Sequence, residues 1–389
     1  MPSKLFKVLS LIIVTLLFLV QIDQPIALGE FQNRSLSPSK LETEGSHLNP
    51  PYRQTLSETD LETEYWEQIF PPQSPDGRYL HGMAYDNDHN AMVLFGGDPD
   101  GKGQEDRLSD TWEYESDNWS QVLPERSPPG RVNINNAMVY DQSQDKIVLF
   151  GGLSQTGHMN DTWEYYRDGV IRVWEPITPT VKPMVRDTHA MTYDSARERT
   201  VMFGGWSPVQ PGYYLKDTWE YDGNDWFSIT TVISPTARHQ HALAYDSQRN
   251  VVVLFGGRNE VSTLNDTWEY DGSNWHQVTT VNSPAPRSSH SMAYDPERKV
   301  VVLYGGQDGD QDPVDDDTWE YDGTNWIQVN TGVSPVDRYG TPLAYDNQRG
   351  KMMFFGGGVK NGNFHTSDET WEYSGWENNH SIYLPIITK

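Results

Sequence analysis

The chain has 389 residues, a formal net charge of −26 and no cysteine. A surface this acidic repels phosphate backbones, which disfavours nucleic acid and anionic membranes and leaves cations, basic proteins and neutral glycans as partners. Without cysteine, disulfides and thiolate-ligated metals are excluded.

Lys4 and Lys7 precede an apolar run from Val8 to Val20, interrupted only by Ser10 and Thr15. The run is short for a membrane span and suits the core of a signal peptide, with Ala27-Leu28-Gly29 offering small residues for cleavage. Residues 1–29 are therefore expected to be an export signal, and the protein to be secreted or on the cell surface. If the segment stays uncleaved, it anchors the chain to a membrane. Residues 30–60 are rich in Ser, Thr, Glu, Pro and Asn, the composition of a disordered linker.

One unit then recurs six times, with Gly-Gly pairs at 96, 151, 204, 256, 305 and 356. A period near 50 residues with several short strands per unit points to a propeller. In the best-spaced copy, His241–Tyr245 forms strand A, Val251–Phe255 strand B, Thr267–Tyr270 strand C, and strand D starts at Trp275. Their β-branched and aromatic content and short length favour strands over helices. Ala242 and Ala244 share one face of strand A, where small side chains let a neighbouring blade approach. Pro342 falls in the sixth copy of this strand, tolerable if strand A is an inner edge.

Twelve of the 14 Trp occupy repeat positions and read as core. A Trp stands twelve residues before the repeat Arg in every unit, from Trp66 before Arg78 to Trp326 before Arg338. The first such Trp lies upstream of the first A–B–C set, and the last set ends at Tyr373 without a strand D. Residues 65–70 are therefore expected to supply the outer strand of the last blade. The second unit carries two insertions, one before its strand A and one in its C–D turn.

The repeat Arg, the apolar strand ending in Gly-Gly, the following Tyr and the later Trp resemble the kelch repeat. The Asp-Thr-Trp-Glu-Tyr-Asp-Gly flavour looks like bacterial extracellular members. The resemblance covers about four-fifths of the chain and implies an all-β fold, a six-bladed kelch β-propeller of four-stranded antiparallel blades over residues 61–376, with a C-terminal tail at 377–389. Kelch propellers include protein-binding modules, copper-radical sugar oxidases and a sialic acid epimerase, so the resemblance leaves the activity open. The copper-radical form needs a cysteine for its cofactor, and this chain has none.

In such a blade the D–A and B–C loops emerge at one end. The B–C loops vary between 8 and 12 residues while the A–B turns do not vary, which marks the D–A/B–C end as the recognition face. Trp206, Tyr213 and Tyr214 of the third B–C loop lie outside the repeat pattern and suit stacking on a sugar or grasping a peptide. Arg238 and Arg287, with the four other repeat Arg, read either as structural partners of the carboxylate that starts each strand C or as a ligand-binding ring. His81, His189, His241 and His290 recur three residues after the Arg and read as packed and hydrogen-bonded between blades rather than as metal ligands. Asp308, Asp310 and Asp312 in the acidic fifth loop are candidate calcium ligands, although no complete calcium-loop pattern is present. No nucleophile or acid–base constellation stands out. The reading is an exported module that binds a protein or glycan, with a carbohydrate-active enzyme of epimerase or lyase type, or a cell-surface structural protein, as alternatives.

Overall fold

The computed structural model describes residues 65–101, 107–209, 213–308, 317–361 and 363–375. The expected signal segment, the linker, the C-terminal tail, Asp310 and Asp312 lie outside these. The repeat dictates the architecture directly. In the fourth unit, Ala242–Asp246, Val251–Phe255, Thr267–Tyr270 and Trp275–Val278 are successive strands A to D of one antiparallel sheet. The Asp246 carboxylate accepts the Gln248 and Arg249 amides and so closes the A–B turn. Asp271-Gly272 closes the C–D turn, with the Gly in the left-handed region at φ 92°.

Six such four-stranded sheets are present among the described residues. Each strand A packs beside the strand A of the next unit, and the first, Gly82–Asp86, meets the last, Leu343–Asp346, so the ring closes as a β-propeller. Strand A is innermost, as expected. Its two faces serve two neighbours: Leu243 and Tyr245 join the core shared with the third blade, while Ala242 and Ala244 meet Met292 of the fifth. In the sixth blade the strand starts after Pro342, so the missing donor falls outside the ladder.

Closure is made by the N-terminal strand. Tyr65–Ile69 pairs antiparallel with Thr370–Ser374, with Trp66 opposite Tyr373. Trp66 is buried against Tyr304, Phe354 and Tyr373. Its indole N–H donates to Thr318 Oγ1 of the fifth blade at 2.9 Å, the same bond that Trp275 of the fourth blade makes to Thr218 of the third.

The insertion in the second C–D turn lengthens the hairpin rather than loosening it. Thr162–Asp168 and Ile171–Ile177 pair along seven positions. The added Arg167 and Arg172 reach back to Glu113 of the first blade.

Trp66→Ala is expected to cost about 3–5 kcal/mol, the usual range for deleting a buried aromatic ring, and to match Trp275→Ala. A denaturant titration in which Trp66→Ala costs only a small fraction of Trp275→Ala would show that the closing strand stands outside the cooperative fold.

Candidate functional site

The D–A/B–C face is built on the repeat arginines. All six are fully buried. Arg238 donates from Nη1 to Asp266 Oδ1 at 2.6 Å, from Nη2 to Asp266 Oδ2 at 2.8 Å, from Nη1 to the Gly256 carbonyl at 2.9 Å and from Nε to the Thr236 carbonyl at 3.0 Å. Arg287 does the same with Asp317, Gly305 and Ala285. Burial pushes carboxyls such as Asp110, Asp161, Asp217 and Asp266 upward, but the hydrogen bonds and charge of their arginines outweigh this and hold them below the usual carboxylate range. Arg238 and Arg287 therefore present no surface to a ligand: of the two readings, the geometry realises the structural pair.

The residues that follow these fixed points tie the loops of the face together. The residue after each Arg bridges the residue after each Gly-Gly: Tyr79 with Asp98, Asp187 with Trp206, His239 with Arg258, Ser288 with Gln307. In the second and sixth units the bridge grows into short strands, pairing Val132 with Leu153 and Tyr339 with Gly358. The B–C loops are thus tied to the D–A segments by backbone pairing. Tyr79, Asp187 and His239 were not singled out from the sequence, although the signal was there: one non-repeating position beside each invariant Arg and one beside each Gly-Gly.

The third blade contributes most. Its strands B and C continue past Gly205 through a bulge, so that Trp206 pairs with Tyr214. Tyr213, 49% exposed, stacks on Trp206 with centroids 5.7 Å apart and planes 13° from parallel. His158 of the second B–C loop lies against the same indole at 4.9 Å, and its Nδ1 stands 3.2 Å from Asp187 Oδ2. Asp187 also accepts from Asn133 Nδ2 at 2.9 Å and Thr188 Oγ1 at 3.1 Å. Tyr214 points the other way, edge-on to His239. The structure therefore unites Trp206 and Tyr213 with His158 and Asp187, and sends Tyr214 to the fourth blade. The cluster supplies a flat aromatic platform beside a hydrogen-bonded carboxylate, and the Thr188 hydroxyl that donates to Asp187 also lies 3.3 Å from His239 Nδ1.

His81, His189, His241 and His290 are buried, each edge-on to a Phe of the preceding blade. They pack between blades as expected. None of the four rings makes a side-chain hydrogen bond of good geometry among the described residues, although the Phe150 and Phe255 backbone stands close to His189 and His290. Nor do the described residues contain a cluster of three or more His, Asp or Glu able to hold a metal. Of the proposed calcium ligands only Asp308 is described, and it is exposed.

The family model described as the KLHDC2/KLHL20/DRC7 Kelch-repeats domain matches residues 41–231 and 224–381. Among curated proteins, Adagio protein 3 of Arabidopsis thaliana is 28% identical over 177 residues, which is 43% of this chain and 27% of that protein. Putative adagio-like protein 2 of Oryza sativa subsp. japonica is 31% identical over 178 residues, 43% of this chain and 26% of that protein. The match thus spans about a quarter of these relatives' length.

Burial holds the imidazoles of His189 and His290 at about 3, against an ordinary 6.5, with the adjacent Arg186 and Arg287 adding to the effect. His81 and His241 are held down by the same two causes. The unfolded chain therefore binds protons that the folded chain refuses. Their contribution to stability is complete above pH ~6.5 and is lost as pH falls toward ~3, by up to ~1.4 kcal/mol per pH unit for each ring. Urea titrations between about pH 7 and pH 5 should show this slope, to which His239, lowered by burial to about 4, also adds, and His290→Thr, the residue type of the sixth unit, should reduce it by roughly a fifth. An unchanged slope in that variant would remove the ring of histidines from the acid sensitivity.

Proposed function

We propose that this chain, which belongs to the kelch-repeat family, is an exported interaction module that binds a protein ligand on its D–A/B–C face. Kelch propellers are typically protein-interaction modules, and the site described above supports that use here. The observation that carries the reading is the grouping of Trp206, Tyr213 and His158 beside Asp187 on a scaffold that is otherwise repeated six times. Rigid aromatic side chains next to a few fixed polar groups are the usual anchors of a binding surface. The platform sits on paired strands B and C, so little ordering entropy is lost when a ligand arrives. A glycan is the second reading, favoured by the stacked Trp206–Tyr213 pair, whose flat rings match the C–H face of a sugar. Export follows from the Lys4–Gly29 segment and places the module outside the cell or on its surface.

Selection of the full chain against a displayed peptide library and a glycan array supplies the ligand. The double variant Trp206→Ala/Tyr213→Ala should then weaken binding by roughly tenfold or more, while its unfolding midpoint stays within about 0.5 kcal/mol of the parent, as for surface changes. A selected ligand that binds the double variant as tightly as the parent would move the site elsewhere.

A further inference from the structure

The propeller axis encloses a cavity that opens on the opposite face. At the D–A end the axis is encircled by backbone hydrogen bonds between the residues two places after each Arg: Leu80 to Gly340 at 2.7 Å, Gly340 to Ser289 at 2.9 Å, Ser289 to Gln240 at 2.8 Å, Gln240 to Thr188 at 2.8 Å and Thr188 to Asn133 at 3.1 Å, with Ile134 to Leu80 at 3.2 Å completing the circle. Asn133, Thr188, Gln240 and Ser289 adopt the left-handed conformation to make it. The insertion before strand A of the second unit then adds a stopper. Asn136 Nδ2 crosses the axis and donates to the His241 carbonyl at 3.2 Å and the His290 carbonyl at 3.1 Å, two and three blades away.

Below that stopper lies a cavity of ≈ 570 Å³, lined by the six innermost strands and open toward the A–B turns. Its size is that of a small-molecule site. Tyr85, Tyr140, Tyr193, Tyr245, Tyr294 and Tyr345 form a collar within it. Several of their hydroxyls are drawn away into A–B turns: Tyr193 accepts from the Ser143 amide, Tyr245 from Ala196 and Tyr85 from Gln348. Tyr85 and Tyr245 are buried in the cores between blades, so the ring carbon at the cavity comes from the half-buried Tyr140, Tyr193, Tyr294 and Tyr345. The rim is Asn87, Gln142, Ser195, Ser247, Pro296 and Asn347, and Asn135 stands near the stoppered end. No charged side chain lines the cavity, although the chain as a whole carries −26. The Asp that ends each strand A is tied into its own turn, as Asp194 is by the Ala196 and Arg197 amides and the Arg197 side chain.

We propose that this well binds an uncharged cyclic ligand with apolar faces and a hydrogen-bonding perimeter, and that its chemical class is a neutral saccharide. A charged ligand would lose its hydration with no counter-charge to meet it. A neutral sugar presents C–H faces to the tyrosine rings and hydroxyls to the amides and hydroxyls of the rim. The site is separate from the D–A/B–C face, and neither reading depends on the other.

The test is calorimetric titration of the full chain with glucose, maltose and cellobiose, and with glucuronate and glucosamine as charged counterparts, at millimolar concentrations. At least one neutral sugar should bind in preference to both charged ones. Ser247→Trp, on the exposed rim, and Asn135→Ala should each weaken it by roughly tenfold, while Trp206→Ala on the other face should leave it unchanged. No binding by any of the three neutral sugars, equal binding of a charged one, or binding that survives Ser247→Trp would overturn the proposal.

Discussion

A guanidinium can be buried in a β-sheet protein only when its donors are met and its charge is balanced, and the six repeat arginines meet that condition in the same way. The carboxylate lies at 2.6–2.9 Å and the carbonyl of the first Gly at 2.8–3.2 Å. That carbonyl is available because both glycines of each pair take positive φ, which turns the backbone back toward the Arg. A Cβ on the first glycine of the fourth pair, Gly256, would stand 2.8 Å from the Arg287 carbonyl of the next blade, so the conformation and the close approach both require glycine. The arginine, the Gly-Gly pair and the carboxylate are one device written in three places of the repeat.

The same device joins the blades. The amide of the second Gly donates to the carbonyl of the next unit's Arg at 2.8–2.9 Å in all six places. Around it the Asp-Thr-Trp-Glu-Tyr motif divides its work by residue. The Asp takes the arginine and the indole of the Trp two residues on, as Asp266 does with Trp268. The Thr accepts the strand D Trp of the following blade, as Thr267 does from Trp326. The Glu accepts the Tyr hydroxyl of the following blade, as Glu269 does from Tyr321 at 2.8 Å. Departures are absorbed locally. Glu369 replaces Asp in the sixth unit and holds Arg338 through a single oxygen at 2.8 Å, and Tyr114 meets Arg349 where its equivalents meet Glu.

Much of this was legible in the sequence because each interaction recurs at fixed spacing. The Trp-to-Arg distance alone assigns Trp66 to the last blade, and it does sit opposite Tyr373. The Arg and strand C carboxylates could be matched because both mark the same end of the blade. The site was less legible, for a physical reason. Asp187 and Trp206 meet through backbone pairing of a D–A segment with a B–C loop, and His158 arrives from another blade. No periodicity within a strand records such a meeting. Likewise the insertion before the second strand A was visible as two extra residues, but its destination across the axis depends on where the fourth and fifth blades place the His241 and His290 carbonyls.

The two ends of the propeller follow opposite rules. At the D–A/B–C end the scaffold repeats while the side chains built on it do not: Tyr79, Val132, Asp187, His239, Ser288 and Tyr339 occupy one equivalent position, with Val132, Asp187 and Ser288 buried. At the A–B end the displayed residues repeat as well, with a tyrosine in every blade. A face that changes from blade to blade can read an irregular ligand from a defined direction, whereas a near-symmetric collar gives a ligand no preferred rotation about the axis. The collar can still hold something small, because the second unit breaks the symmetry at the one point where it matters. Without Asn136 across the axis, the passage between the blades would be limited only by the circle of backbone hydrogen bonds at the D–A end. With it, the tyrosine-lined passage has a closed end, and a passage with one closed end is a well.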